Sequence, residues 1–248
     1  MKPLSACRLY TFIDTAYLRG RPPELVAEHL CAGGSDLVQL RAKQSSIAEI
    51  RAMAGKILPI TSRANVSLII NDHPSIALDL STINHLSSEV LLTKEDPLST
   101  FLGCHLGQED FFDAGHTHVS ELKTNPGSAG VSPAAFPSTI NHPLSTILGL
   151  SSHSRSQALR AVQAGADYIA IGPVYATGTK PSAKPVTLEY VRWAAQNIKI
   201  PWFAIGGINL QNLDDVLAAG AQRICVVSAI LNSDDITAEC KKFKLRLS

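Results

Sequence analysis

No apolar run in the 248-residue sequence reaches the roughly 18 residues that a membrane-spanning helix needs, so no such span is expected. Net charge is nearly absent: 22 Lys+Arg against 21 Asp+Glu leave +1 at pH 7. Nucleic-acid binders usually carry a basic stripe, and disordered solvating chains a large charge excess; both classes are excluded. Cysteine is scarce. The five residues Cys7, Cys31, Cys104, Cys225 and Cys240 form no C-x-x-C, and no His pair stands at zinc spacing. Neither a disulfide framework nor a structural zinc site is expected. Cys225 lies in an apolar run and reads as a small core residue. The opening MKPLSACRLYTFID lacks the apolar stretch of a secretory signal. The expectation is a cytoplasmic protein with reduced thiols.

What is present is a rhythm. Hydrophobic residues make up 45% of the chain, enough for one large core. Short apolar runs recur, most of them followed by a helical pattern. The expected strands are Arg8–Asp14, Leu37–Arg41, Val66–Ile70, Cys104–Leu106, Ile147–Leu150, Asp167–Ile171, Trp202–Ile205 and Arg223–Val227. Helices are expected from Pro22-Pro23 to Cys31, over Ser45–Ser62, briefly over Ser75–Leu80, and over Ser154–Ala164, Leu188–Asn197, Gln211–Ala219 and Ile236–Leu247. Strands alternating with helices are the pattern of parallel βαβ units. Eight of them in about 250 residues predict a (β/α)8 TIM barrel. A doubly wound sheet is the runner-up, but it favours a Gly-rich turn after the first strand, where Asp14-Thr15-Ala16 stands.

Two segments, approximately 81–101 and 114–146, break the rhythm with Ser, Thr, Asn, Pro and Gly. They read as irregular insertions in one domain spanning 1–248. The fragment STINH occurs in both, at 81–85 and 138–142, too short for a structural repeat.

Barrel chemistry sits at the C-terminal ends of the strands. Polar residues collect there. Gln39, Arg41 and Lys43 share one side of an extended chain, so an amide and two cations suit an anion site. Asn71-Asp72 follows the third strand and reads either as a turn before Pro74 or as a site. His105–Asp110 (HLGQED) follows the fourth. Asp72 with Asp110, or with the competing Glu109, makes a carboxylate pair of the kind that holds Mg²⁺ beside substrate phosphates. Ser151 after the fifth strand either caps the next helix or meets a ligand. His153 is a candidate base without an evident carboxylate partner. Gly172–Lys180 (GPVYATGTK) offers hydroxyls, glycines and a lysine to phosphate, though not at P-loop spacing. Gly206-Gly207 and Val227-Ser228 fall where these barrels commonly bind phosphate.

The stretches QLRAK (39–43), IIND (69–72), HLGQED (105–110), LGLSSHS (148–154), GADYIAIGPVYATGTK (165–180), FAIGGINLQNL (203–213) and VVSAI (226–230) resemble, in order, those of the thiamine-phosphate synthase family. The resemblance implies a (β/α)8 enzyme that joins a hydroxymethylpyrimidine diphosphate to a hydroxyethylthiazole phosphate, releasing pyrophosphate. It implies Mg²⁺ on Asp72 and Asp110. It assigns Gln39, Leu40, Arg41, Ala42, Lys43, Asn71 and Lys180 to the pyrimidine diphosphate, and Ser151 to its pyrimidine and pyrophosphate. Thr177, Thr179, Gly207, Val227 and Ser228 fall to the thiazole phosphate. Arg41, Lys43, Ser151 and Lys180 carry the catalytic roles. Pyrophosphate leaves first in the family, and the thiazole nitrogen captures the pyrimidine-methyl cation. Ala42 departs from the family, which usually has an acidic residue there. The expected partners are these small molecules, with no nucleic acid and no membrane; homo-oligomerisation is left open. The alternatives are a thiazole tautomerase of the same superfamily, which would lack the carboxylates and basic residues kept here, and a non-catalytic barrel binding thiamine intermediates.

Overall fold

In a computed structural model that describes residues 2–90, 102–124, 146–179 and 183–247, eight parallel strands close into a barrel in sequence order. They are β1 (Leu9–Asp14), β2 (Leu37–Arg41), β3 (Ser67–Asn71), β4 (Leu102–Leu106), β5 (Ile147–Ser152), β6 (Tyr168–Ile171), β7 (Trp202–Ala204) and β8 (Ile224–Val226). The α-helices are α1 (Pro23–Ala32), α2 (Ile47–Arg63), α3 (Pro74–Val90), α4 (Gln108–Asp113), α5 (Ser120–Thr124), α6 (Arg155–Gln163), α7 (Thr187–Asn197), α8 (Leu213–Ala218), α9 (Ser228–Leu231) and α10 (Ile236–Arg246). No described helix is long and apolar enough to cross a membrane.

Local chemistry sets the helix starts. Ser46 and Glu49 form a capping box, with Ser46 N donating to Glu49 Oε2 at 2.7 Å and Glu49 N to Ser46 Oγ at 3.3 Å. The strands are apolar on both faces because both faces are covered. Leu9 and Ile13 of β1 join the large core between strands and helices, while Tyr10 and Phe12 turn inward. The barrel interior is filled by Tyr10, Phe12, Ile69, Tyr168, Phe203 and Cys225. Tyr10 and Tyr168 meet Phe203 edge-on, with ring centres 5.3 and 5.6 Å apart. Gly149 makes room for Tyr168: a Cβ there would fall 2.1 Å from the phenol ring.

The opposite end of the barrel is tied by Asp36, which is 7% exposed. Its carboxylate accepts from Arg8 N at 2.7 Å, Leu9 N at 2.9 Å and Lys244 Nζ at 2.6 Å, and it also pairs with Lys2. Burial pushes this carboxyl up, but the two ammonium groups and the two amides outweigh it and hold it below 3.8. The group therefore stabilises the fold above that pH, and the contribution is lost as acid protonates it. Asp36→Ala is expected to cost about 2–3 kcal/mol, less than a fully buried pair because both lysines keep contact with water. The urea midpoint should fall with its slope unchanged.

Two expectations need correction. Residues 81–90 are not irregular; they continue α3 to Val90. Ile76, Leu80, Ile83 and Leu86 recur at helical spacing, a period masked by the intervening Ser, Thr and Asn. Residues 114–124 are likewise ordered. A turn closes α4, Val119 is 2% exposed, and Lys123 Nζ of α5 meets Asp167 Oδ2 at 2.8 Å. The rest of both expected insertions, and the second STINH copy, lie outside the described residues.

Candidate active site at the C-terminal mouth

The C-terminal ends of the strands surround one cavity of about 150 Å³. Period-two alternation decides which strand residues reach it. Gln39 and Arg41 of β2 line it, whereas Leu40 and Ala42 turn outward into the large core. Asn71, Ser151, the loop residues Thr177, Thr179, Gly207 and Val227, and Ser228 at the start of α9 also line it. Lys43, Asp72 and Asp110 do not line the cavity itself. Lys43 Nζ pairs with Asp72, whose Oδ2 also accepts from Asn71 Nδ2 at 2.6 Å. Asp72 sits at φ 62°, a left-handed turn that Asp tolerates. Asp110 is exposed on the first turn of α4 and folds back against Gly107. Lys180 lies outside the described residues.

The loops that form the rim are held from behind. Gly207 is at φ 64°, and a Cβ there would fall 2.6 Å from Ala176 O, so only glycine lets the two loops approach this closely. Asn212 Nδ2 donates to Gly207 O at 2.9 Å. Asn209 Oδ1 accepts from Gln211 N at 2.9 Å and Asn212 N at 3.1 Å. Thr179 Oγ1 is buried without a hydrogen-bond partner among the described residues.

The position of Ser151 is settled. The cap of α6 is Ser154, whose Oγ accepts from Gln157 N at 3.2 Å. Ser151 instead bonds His105 Nε2 through its Oγ at 2.9 Å. His153, the candidate base, also lines the cavity; its Nδ1 bonds Gly172 O, which orients the ring, and its backbone N donates to Gln157 Oε1 at 2.7 Å.

Several residues at the site escaped the sequence reading. Asp14, 1% exposed at the end of β1, accepts from Arg41 Nη1 at 2.7 Å and holds the guanidinium over the cavity. Tyr10 Oη lies 3.0 Å from Tyr168 Oη, which lies 3.1 Å from His105 Nδ1. Burial pushes both phenols up and the imidazole down to about 4, so all three stay neutral near pH 7. The alternation of β1, β4 and β6 already points Tyr10, His105 and Tyr168 inward, and that was the available signal.

Comparison with known proteins places the chain in a family. A family model described as thiamine monophosphate synthase matches residues 9–116 and 138–230. The stretch between them overlaps the second expected insertion. A thiamine-phosphate synthase of Chloroflexus aurantiacus is 34% identical over 97% of this chain and 93% of its own length. One of Thermus thermophilus is 36% identical over 89% of this chain and 86% of its own. Among solved structures, the thiamine phosphate pyrophosphorylase of Pyrococcus furiosus superposes with a TM-score of 0.70 at 23% identity, covering 97% of this chain and 95% of that one. At that identity the superposition speaks for the barrel, and the sequence matches speak for the kinship. The chain belongs to the thiamine monophosphate synthase family.

Proposed function

We propose that this chain is a working thiamine-phosphate synthase, a transferase that joins 4-amino-2-methyl-5-hydroxymethylpyrimidine diphosphate to 4-methyl-5-(2-hydroxyethyl)thiazole phosphate. The observation that carries the reading is convergence. Residues from β2, β3 and β5 and from the loops after β6, β7 and β8 line one cavity. The reading assigns two anion zones to its rim, one basic and one built from glycine and hydroxyls.

The reaction needs no protein nucleophile. The C–O bond from the pyrimidine methylene to the diphosphate breaks, and the bonding pair leaves with the diphosphate. The thiazole nitrogen then donates its lone pair to the methylene carbon. The protein must stabilise charge growing on the leaving group and hold the thiazole in line. Arg41, Lys43 and Lys180 are assigned to the diphosphate, with Asn71 and Gln39 orienting the pyrimidine end. Thr177, Thr179, Gly207 and Ser228 are assigned to the thiazole phosphate. Leu40, Ala42 and Val227 contribute through backbone and packing. Keeping the Asp14–Arg41 pair buried fixes one cation before substrate arrives.

Asp72 and Asp110 offer hard oxygen donors from adjacent strand ends. Among the described residues no three His, Cys, Asp or Glu side chains gather to hold an ion. Two carboxylates completed by water and substrate phosphates are nonetheless what Mg²⁺ takes, and the donor set fits it. Bound there, Mg²⁺ would supply positive charge to the departing diphosphate.

All five cysteines are free thiols, which supports a cytoplasmic location. The reading takes 1–248 as one barrel domain. The test is to mix purified protein with both phosphorylated substrates, with and without Mg²⁺, and read thiamine phosphate by oxidation to its fluorescent derivative. Product that requires both substrates and the metal is expected; no product in the complete mixture would contradict the reading.

A further inference from the structure

We infer that the buried chain Gln39–Tyr10–Tyr168–His105 is a one-way hydrogen-bond relay that fixes His105 as the Nε2–H tautomer and turns the Ser151 hydroxyl into a donor facing the cavity. The relay rests on the proposed synthase activity only for what the donor meets.

The direction follows from counting hydrogens. Gln39 Nε2 is an amide nitrogen and only donates; it gives its hydrogen to Tyr10 Oη at 2.5 Å. Tyr10 Oη accepts that bond, and among the described residues Tyr168 Oη, 3.0 Å away, is the one group placed to take the buried Tyr10 hydrogen, which would otherwise go unpaired, so that hydrogen passes to Tyr168. Tyr168 in turn gives its own hydrogen to His105 Nδ1 at 3.1 Å. A neutral imidazole carries one N–H, and Nδ1 is now an acceptor, so the hydrogen sits on Nε2. Nε2 donates to Ser151 Oγ at 2.9 Å. With that lone pair engaged, the Ser151 O–H is left to donate, and Ser151 lines the cavity. The reversed polarity would make Ser151 give its hydrogen to His105 and offer the cavity an acceptor.

The relay is rigid. Tyr10, Gln39 and Tyr168 are each at most 1% exposed. The imidazole of His105 also stacks on Tyr168, with centres 5.5 Å apart. Such a chain places a donor whose direction is set before ligand binding and costs no reorganisation during the reaction. Its partner is a lone-pair acceptor of the pyrimidine diphosphate substrate: a ring nitrogen or the oxygen that takes up the leaving electron pair. His105 and Tyr168 are positioning residues; they act through Ser151.

Histidine-¹⁵N-labelled protein tests the direction without substrate. His105 is assigned by the signals lost in His105→Gln. The wild type is expected to show unprotonated Nδ1 and protonated Nε2. Tyr168→Phe removes the hydrogen given to Nδ1, so the Nδ1–H tautomer should appear. Turnover of Tyr168→Phe should fall about 10–100-fold, the scale of loss when a hydrogen-bond partner that orients a functional side chain is removed, in kcat rather than KM. His105→Gln keeps a donor toward Ser151 and should retain most turnover, whereas His105→Leu should not. A protonated Nδ1 in the wild type, or full turnover in both Tyr168→Phe and His105→Leu, overturns the inference. Should the wild type show no synthase turnover, the functional reading fails, and the tautomer still decides the relay.

Discussion

Arg41→Ala is expected to lower turnover by about 10²–10³-fold, the scale for losing one preorganised charged donor at a site of developing negative charge. It should also lower stability, for a physical reason separate from catalysis. Arg41 is 20% exposed on its side chain and Asp14 only 1%, so the truncation leaves a carboxylate buried without its partner. Unpaired buried charges cost about 3–5 kcal/mol. The two losses can be separated. In Asp14→Asn/Arg41→Ala the stranded charge is gone, so the urea midpoint should recover most of its loss while turnover stays low. Asp14→Asn alone leaves the guanidinium present but less fixed and should raise KM for the diphosphate substrate more than it lowers kcat. If the double variant recovers turnover along with stability, Arg41 serves the fold and not the leaving group.

Asp110→Ala is the second large effect. Asp110 is exposed on α4, and its removal strands no buried partner. Thermal stability should therefore be unchanged. Turnover at ordinary Mg²⁺ should fall about a hundredfold, corresponding to about 3 kcal/mol of lost charge stabilisation. Raising Mg²⁺ should restore part of it, because Asp72 remains as a carboxylate donor. Glu109→Ala serves as the comparison. A large loss there, with Asp110→Ala inert across the Mg²⁺ titration, would move the metal role to Glu109.

Much of this was legible in the sequence because barrel architecture makes it so. Continuous apolar runs such as LII (68–70) and YIAI (168–171) announce themselves by being covered on both faces. Gly and Pro mark where α1 begins and ends. The barrel rule then places the strand ends at one mouth, which gathers Gln39, Arg41, Asn71 and Ser151 without any structure. What stayed hidden depends on pairing across distance. Asp14 looks like a turn residue until β1 lies beside β2 and sets it opposite Arg41. Tyr10 and Tyr168 are 158 positions apart, and only closure of the barrel brings their hydroxyls together. The continuation of α3 is hard to see because Ser, Thr and Asn interrupt its apolar period. Ser151, Ser152 and Ser154 all stand near the start of α6, and only the fold shows that Ser154 is the cap.

The central claim is that acidic, basic and glycine positions from separate strands act together around one mouth to release a diphosphate. A crystal structure of the protein with inorganic pyrophosphate and Mg²⁺ tests it most directly. We expect pyrophosphate beside Arg41 and Asn71, an ion shared between it and Asp72 and Asp110, and Lys180 reaching its oxygens. Pyrophosphate bound away from Arg41, or an ion that touches neither Asp72 nor Asp110, would contradict the account.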